Sequence, residues 1–480
     1  MRHVLKKLVM IEALCAFSAA GLCASTTTAT AGATITTNAS KAAAAPAKKT
    51  TQKTKPVSPE VQFAQDLDAA LSSGSIDDAI ALFDKAPQAA QTEALQTVKA
   101  ALLLSAGRDA EADALAKDLL AKNPKDLDVL QLNVMLAKQR GDAATKSKLL
   151  KQILTIDPNN ADANIELGGE QALKHRYRDA RTYFQRAMRA DPNNAEAIFG
   201  YGKMSYYLEN DSEARKSFER LLSLNPNDAQ ALAYLGKLEA ESKRYRKALE
   251  YINKALAIDM HNTTYFLDQG TYSRFCGDYA SAEVAWKKAI ENDPNYFLGY
   301  AYLAGLYDEQ DRLKEALAMY RKVVEKNPQY YYAYEAIGIL AWHEGNWKEA
   351  RAAFEKAHEK KSDNVSYALM VASCYWKEGN IAQMKKFTET VMKGMDRNST
   401  EYWVVRMFHD QNGDAEVLVR INKEKIKNTR NKMLFYTAVY FEQRGMSDLA
   451  QKYYVEIASL QAPTIFEYRL AQWKTGGITQ

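Results

Sequence analysis

Histidine is the side chain best suited to proton transfer and metal binding, because its ring titrates near neutral pH. Zinc enzymes often place two histidines four residues apart on a helix, with a glutamate between them. Here His343-Glu344 is followed by Gly345-Asn346-Trp347, which does not complete that pattern. The other histidines stand in no metal-binding spacing, at His3, His175, His261, His358 and His409. The sequence therefore predicts no metal, no cofactor and no histidine-based catalytic centre.

Other catalytic and phosphate-binding patterns are also missing. The sequence has no P-loop and no Gly-x-Ser-x-Gly, and its glycine pairs, Gly168-Gly169 and Gly476-Gly477, do not lie between a strand and a helix. Carboxylates are plentiful, but they fall on predicted helix surfaces and turns. We therefore expect no enzyme activity, and function has to come from surfaces that bind.

An internal repeat in the sequence predicts the helices that form such surfaces. Prolines stand one period apart at Pro124, Pro158, Pro192 and Pro226, and two later repeats end at Pro294 and Pro328. Within Ala161–Asn194, the apolar residues predict one helix over about 161–173 and a second over about 177–189. Proline then ends the second helix. A fixed period over this length indicates stacked helical hairpins.

Small and large residues keep the same period. Glycines recur on the first helix at Gly168, Gly202, Gly236, Gly270 and Gly338, and alanines on the second at Ala180, Ala214, Ala248, Ala282, Ala316 and Ala350. A large residue follows each alanine after four positions, at Phe184, Phe218, Ile252, Trp286, Tyr320 and Phe354. We expect the small residues to let paired helices approach closely and the large ones to fill the space between hairpins.

This pattern resembles the tetratricopeptide repeat (TPR) family. The resemblance is carried by small-x11-Ala-x3-aromatic-x2-Ala-x4-Pro, as in Gly168, Ala180, Phe184, Ala187 and Pro192. The family's usual tryptophan slot holds other residues, namely Asn164, Ile198, Leu232 and Phe266. The resemblance implies an all-α fold, a solenoid of hairpins wound into a right-handed superhelix with a concave groove.

The repeat pattern places a TPR solenoid at residues 60–464, with the clearest repeats at 127–364, and a capping helix and tail at 465–480. We expect this last helix, 465–474, to cover the exposed apolar end of the stack, as solenoids require. The predicted hairpins are 60–92, 93–126, 127–160, 161–194, 195–228, 229–262, 263–296, 297–330, 331–364, 365–398, 399–430 and 431–464.

Residues 1–24 have the features of a signal peptide. A basic start is followed by the mostly apolar run Leu8–Cys23 and then by small residues, so that cleavage after Ala24 or near Ala29–Ala33 is expected. Three alternatives stay open: an uncleaved anchor, an apolar start that arose by chance, and lipid attachment at Cys23, although Leu22 is larger than the residue that usually precedes a lipidated cysteine. The chain is thus expected to be exported to the periplasm or envelope of a bacterium.

Residues 25–59 are rich in Ala, Thr, Lys and Pro and have no periodic apolar face, which predicts a disordered spacer. Residues 1–58 carry a net charge of +7, which leaves −2 for the rest of a chain whose total is +5. The repeats are therefore nearly neutral, which argues against nucleic-acid binding. The lysines of the spacer could make a weak contact with the envelope.

The C-terminal part carries a looser resemblance. Tyr402-Trp403-Val404-Val405, Leu434-Phe435-Tyr436 and Phe466-Glu467-Tyr468-Arg469-Leu470-Ala471 are similar to the end of NlpI-type envelope TPR proteins. Those proteins are adaptors that gather cell-wall hydrolases and proteases. The resemblance implies a compartment and an adaptor role, and it transfers no binding site.

The TPR resemblance also implies where partners bind, since first-helix positions 2, 5, 9, 12 and 13 line the groove of that family. Aromatic rings mixed with Arg and Lys suit peptide binding, although some of these residues could be ordinary packing between hairpins. The candidate partner-binding residues are Phe199, Lys203, Tyr206, Tyr207, Arg274, Phe275, Tyr332, Glu335, Trp342, His343, Trp376 and Lys377, with Thr271 beside them.

Two cysteines lie beyond the leader, Cys276 and Cys374. They are three hairpins apart, whereas a disulfide needs α-carbons within about 7 Å, so we expect two free, buried thiols.

Three functions fit the sequence. The first, which we favour, is a non-catalytic scaffold or adaptor that binds proteins or peptides at the envelope. The others are a subunit that holds an envelope polymer or lipoid ligand in the aromatic groove, and a regulatory subunit of a partner enzyme.

Overall fold

The computed structural model describes residues 59–88, 91–460 and 464–476. This part of the chain is all-helical and contains no strand. The predicted signal peptide and all but the last residue of the predicted spacer lie outside it. Pro59, assigned to the spacer from sequence, is instead the first residue of a helix, where a missing amide hydrogen costs nothing.

The described residues form two compact units, the first ending at Leu224 and the second beginning at Asn225. In the first unit the helices are α1 (Pro59–Ser73), α2 (Ile76–Asp84), α3 (Glu93–Ser105), α4 (Asp109–Lys122), α5 (Leu127–Gln139), α6 (Ala143–Ile156), α7 (Ala161–Leu173), α8 (Tyr177–Ala190), α9 (Ala195–Tyr207) and α10 (Asp211–Leu224). Each predicted hairpin of this unit contains two of these helices.

In the second unit the helices are α11 (Ala229–Glu241), α12 (Tyr245–Ile258), α13 (Thr263–Phe275), α14 (Tyr279–Asn292), α15 (Phe297–Glu309), α16 (Leu313–Lys326), α17 (Tyr331–His343), α18 (Trp347–Lys360), α19 (Val365–Lys377), α20 (Ile381–Met392), α21 (Thr400–Asp410), α22 (Asp414–Lys423), α23 (Lys427–Gln443), α24 (Ser447–Ala458) and α25 (Phe466–Lys474). The helices again fall in the predicted hairpins, except that α23 begins four residues before the predicted start at 431.

The turns between hairpins explain why the first helices begin where they do. After four of the six Asp-Pro or Asn-Pro turns, an Asn or Asp side chain accepts a hydrogen bond from a backbone N–H in the first turn of the next helix. In the other two, Tyr296 and Tyr330 stand at this position and make no such bond. Asn160 accepts from Ala163 at 3.0 Å and Asn194 from Ala197 at 2.9 Å. Such caps satisfy amides that have no partner within the helix. The repeated turn sequence therefore ends one helix and starts the next.

The periodic glycines and large residues pack against each other inside a hairpin. A Cβ added to Gly168 would lie 3.1 Å from the ring of Phe184, and one added to Gly338 would lie 2.8 Å from Phe354. The alanines of the second helices are fully buried. A Cβ added to Gly200 of the next hairpin would lie 2.5 Å from the same ring of Phe184. Phe184 therefore fills the space between hairpins, as predicted, and also contacts the first helix of its own hairpin.

Gly270 gives the clearest test of this packing. Its Cβ would lie 2.6 Å from Cδ1 of Trp286, whose Nε1 is held by a 3.1 Å hydrogen bond to the carbonyl of Leu267. We expect Gly270→Ala to lower the free energy of unfolding by about 1–3 kcal/mol through overpacking. Gly305→Ala is the control, since its Cβ would meet nothing within 4 Å and alanine favours helix by up to about 1 kcal/mol. Hydrogen exchange of α13 and α15 measures the change in stability for both variants. Changes of the same sign in Gly270→Ala and Gly305→Ala would contradict the packing described.

The end of the second unit differs from the prediction. Helix α25 does not simply cover the exposed end of the stack. It crosses several first helices and contacts α15, α17, α19 and α23 through side chains. The apolar face of α23 is likewise directed inward, with Phe435, Tyr436, Tyr440 and Phe441 almost fully buried. The C-terminal helices therefore fold back over the face that the first helices form.

The cysteine prediction was right for one residue and wrong for the other. Both thiols are free, and Cys374 is buried, but Cys276 is exposed. Cys276 is the residue that ends α13, in the turn between the helices of a hairpin, and such turns face solvent.

None of the helices within residues 59–88, 91–460 and 464–476 is both long and apolar enough to cross a membrane.

Candidate functional site

In the first unit, α9 carries four of the candidate residues. Tyr207 is 44% exposed and stacks on Tyr177 with a centroid distance of 4.9 Å. Tyr206 is half-buried and lies against Tyr207. Phe199 and Lys203 are also half-buried, the ring of Phe199 being 6.0 Å from that of Phe218. Helix α9 thus presents an accessible tyrosine edge.

In the second unit, Arg274 and Phe275 lie at the end of α13. The guanidinium of Arg274 pairs with Glu309 of α15 at 2.7 Å. Phe275 is 53% exposed and stacks on Tyr245 at 4.6 Å. An accessible ring and a fixed ion pair therefore lie side by side.

Between α13 and α15 lies a cavity of about 160 Å³, which we call the open pocket. Two small residues of α15, Ala301 and Gly305, leave the space, and Trp286 stacks on Tyr302 at 5.3 Å to form one wall. Sites for small molecules usually have volumes of about 300–1,000 Å³, so this pocket suits one side chain of a bound peptide better than a cofactor. Its lining residues are Thr271, Arg274, Trp286, Ala301, Tyr302, Gly305 and Leu306.

The pocket is formed mainly by residues that the sequence argument did not single out. Thr271 and Arg274 were candidates, whereas Tyr302 and Gly305 were not. A signal for them was present, because small residues at two groove positions of one helix, Ala301 and Gly305, predict a gap in an otherwise filled surface.

Trp342 is not accessible in this structure. Its side chain is 2% exposed, Nε1 lies 3.4 Å from the hydroxyl of Ser373, and its ring is 6.3 Å from that of Phe435. Trp376 is half-buried between Phe408 and Tyr440, at 5.9 and 5.5 Å. These two rings were expected to face a groove, but α21 and α23 cover them because the C-terminal hairpins turn back over the first helices.

Two further candidates, His343 and Lys377, lie beside helix α25. The ring of His343 lies 4.1 Å from that of Trp473. Lys377 pairs with Glu442 at 3.0 Å, and Lys474 of α25 pairs with the same carboxylate at 2.9 Å. We call this surface of α15, α17, α19 and α23, with α25 on it, the filled groove.

The last two candidates lie at the border of the filled groove and beyond it. Glu335 accepts a hydrogen bond from the hydroxyl of Tyr367, whose ring faces Phe466 of α25 at 6.4 Å. Tyr332 is 57% exposed and stacks on Tyr331 at 4.0 Å. Among the candidates on α17 and α19, Tyr332 and His343 are therefore the exposed ones.

Polar anchors hold α25 in place. Arg469 makes two hydrogen bonds to the carboxylate of Asp308, at 2.9 and 2.8 Å. Glu467 is fully buried, and its Oε1 accepts from the hydroxyls of Ser366 and Tyr436, at 2.5 and 2.9 Å. Burial raises the pKa of Glu467. A carboxyl in such a position favours the neutral form.

A larger depression, about 830 Å³, lies in the first unit along α6 and the end of α7. Its walls are exposed lysine and threonine side chains of α6 together with Leu173 and Lys174. Lys146, the most enclosed of its lysines, is already paired with Glu166 and Glu170. We therefore regard it as an open surface furrow and the smaller pocket as the better candidate.

Within the described part of the chain, no group of three or more His, Cys, Asp and Glu residues could hold a metal ion.

Several solved structures are similar to parts of this chain. They include a TPR protein of Parabacteroides merdae (19% identical, covering 51% of this chain and 97% of that one, TM-score 0.41). PilF of Pseudomonas aeruginosa is 18% identical and covers 44% of this chain and 95% of that one, with a TM-score of 0.38. YrrB, a TPR protein with an unusual peptide-binding site, is 20% identical, and the match covers 38% of this chain and 93% of that one with a TM-score of 0.32. TM-scores this low carry no information about function.

No curated protein matches the chain. Two models of the tetratricopeptide repeat family do match, one over residues 171–238 and the other over residues 267–331 and 303–365. The matched stretches contain the hairpins in which glycine and a large ring pack together. Residues 171–238 and 267–365 therefore consist of tetratricopeptide repeats.

Proposed function

We propose that this chain is a non-catalytic adaptor that binds other proteins through the first helices of its second unit, at the envelope of a bacterium. TPR proteins typically mediate protein–protein interactions or bind peptides, and they are usually non-catalytic. The observation that carries the proposal is the open pocket between α13 and α15.

The surroundings of the open pocket suit a peptide. Tyr302 and Phe275, 39% and 53% exposed, offer apolar area that is already ordered by stacking on Trp286 and Tyr245. The ion pair of Arg274 and Glu309 offers polar groups at fixed positions. Aromatic and arginine side chains dominate the energetics of protein interfaces. We expect a partner segment that inserts one apolar side chain and hydrogen-bonds the ion pair.

Residues 1–24 and the spacer support the envelope location. The basic and apolar start has the order of a signal peptide, the lysine-rich spacer gives a weak envelope contact, and the C-terminal resemblance to NlpI-type adaptors is consistent with both. Fractionation of cells, with N-terminal sequencing of the mature protein, tests this part. A full-length protein found only in the cytoplasm would contradict it.

Filling the open pocket tests the binding part. We expect Gly305→Leu to weaken capture of the partner from envelope extract by about tenfold or more, because the new side chain occupies the space that the partner's side chain needs. Gly169→Leu is a matched control: Gly169 has the same position in its hairpin, and its Cβ would also meet nothing within 4 Å.

The outcomes separate the three functions. If Gly305→Leu and Gly169→Leu both lose the same proteins, or if neither variant loses any, the contact with the partner does not lie at the open pocket. Capture of wall polymer or lipid alone would favour a binding subunit for an envelope ligand. Capture of an enzyme whose activity then changes would favour the regulatory role.

A further inference from the structure

Helix α25 lies in the filled groove with the pattern of a bound amphipathic helix. Glu467, Leu470, Ala471 and Lys474, spaced i, i+3, i+4 and i+7, point toward the groove. Leu470 and Ala471 are fully buried. This spacing is the one by which helices of partner proteins are anchored in grooves.

Its charged groups match the groove individually. Arg469 binds both oxygens of Asp308, and Lys474 pairs with Glu442 at 2.9 Å. Paired, two-point contacts between arginine and a carboxylate add geometric specificity. The groove therefore selects a helix by charge as well as by apolar shape.

Helix α25 depends on the groove for its structure. It has nine residues, and isolated helices shorter than about 12–15 residues are marginal in water. Its helical state therefore comes from contacts with α15, α17, α19, α23 and its chain neighbour α24. Short terminal segments of this kind open at lower free energy than the core they contact.

We propose that the filled groove is a docking site for an amphipathic helix of a partner protein, one that carries Glu-x-Arg-Leu-Ala-x-x-Lys or its chemical equivalent, and that α25 is the internal ligand which this partner displaces. This site has lining residues of its own, so the proposal rests on the protein-binding role proposed above but stands even if nothing binds at the open pocket. The partner is defined by its chemistry: an acid at the buried anchor, an arginine for Asp308, two small or branched apolar residues and a lysine for Glu442.

The test uses the full-length protein and a fluorescent peptide with the sequence of residues 464–476. In the wild-type chain the tethered α25 competes at a high effective concentration, so the peptide is expected to bind weakly. In Arg469→Glu, where the internal helix is repelled by Asp308, we expect the peptide to bind at least tenfold more tightly. The double variant Asp308→Arg/Arg469→Glu restores the ion pair with its charges exchanged, so α25 is expected to return to the groove and the peptide to bind as weakly as it does to the wild type.

Hydrogen exchange of α25 shows whether the variants release the helix. Leu470→Asp serves as a second releasing variant in case Arg469→Glu leaves α25 in place. Release of α25 with no gain in peptide binding would overturn the proposal. So would unfolding of α17–α24 in both variants, since α25 would then be a fixed part of the fold. A concentration-dependent dimer of the wild-type chain that exchanges α25 would also overturn it, by making a second copy the occupant.

Discussion

Trp342→Ala is expected to lower the free energy of unfolding of the second unit by about 3–5 kcal/mol, the range for removing a large buried aromatic side chain. The ring is 2% exposed and lies 5.7 Å from Trp347 and 6.3 Å from Phe435, with Nζ of Lys474 at 5.0 Å. Alanine would leave a cavity beneath both α23 and α25. Hydrogen exchange of α17, α19 and α23 measures the loss, because it reports local stability in a chain of repeats.

Tyr332→Ala is the control for this prediction. Tyr332 lies on the same helix and was predicted from sequence to have the same groove role, but it is 57% exposed. Its replacement is expected to change stability by no more than about 0.5 kcal/mol. A neutral Trp342→Ala would mean that α23 and α25 do not cover this face, and the candidate residues there would return to being ligand contacts.

The second large effect concerns the buried carboxyl of α25. Glu467→Ala removes the acceptor for the hydroxyls of Ser366 and Tyr436, both of which are buried. Leaving buried hydroxyls without a partner costs about 1–3 kcal/mol. We expect the backbone amide hydrogens of α25 to exchange correspondingly faster with solvent, while the exchange rates of α11–α14 stay the same. Equal protection of α25 in the variant and the wild type would contradict the contacts described.

The same carboxyl should make docking of α25 depend on pH. Burial raises the pKa of Glu467 in the docked state, so the docked state holds its proton to higher pH than the released state does. The stabilisation is full at pH values below the ordinary pKa of a glutamate, and it is lost as the pH rises through the docked pKa. Lys432 acts against burial by favouring the charged form.

Glu467→Gln isolates this effect, because the amide keeps an acceptor oxygen and cannot ionise. We expect α25 of the variant to stay protected at high pH, where the wild type loses protection. His343, beside Trp473, has a pKa lowered by burial and by Arg469, and it weakens docking as the pH falls. His343 is present in both proteins, so its contribution cancels when the protection of α25 in the wild type is compared with that in the variant at the same pH. A difference that does not grow with pH would contradict the assignment.

Much of the fold follows from local features of the sequence. The prolines, the capping Asn and Asp residues and the glycine–aromatic register act within one hairpin, so the period alone predicts the helices. Gly168 and Phe184 illustrate this, since they belong to the two helices of one hairpin and touch in the structure as their spacing implies. The helices of residues 161–190 begin and end within one residue of their predicted bounds.

The covering of the C-terminal groove could not be predicted in that way. The bonds between Arg469 and Asp308 join residues 161 positions apart, and no repeat spacing encodes such a contact. The TPR pattern assigns Trp342 and Trp376 to an accessible surface because it describes neighbouring hairpins only. Their burial depends on where α23 and α25 fold back, which is decided by apolar and charged residues outside the repeat signature.

The central claim is that a protein partner binds at the open pocket, and site-specific photo-crosslinking in cells tests it most directly. A benzoylphenylalanine at position 302, in place of the exposed Tyr302, is expected to trap a partner protein in a discrete adduct. The same group at position 284, in place of Val284, which is 55% exposed on the second helix α14, should trap none. An adduct from position 284 with none from position 302 would contradict the account and place the contact on the second helices.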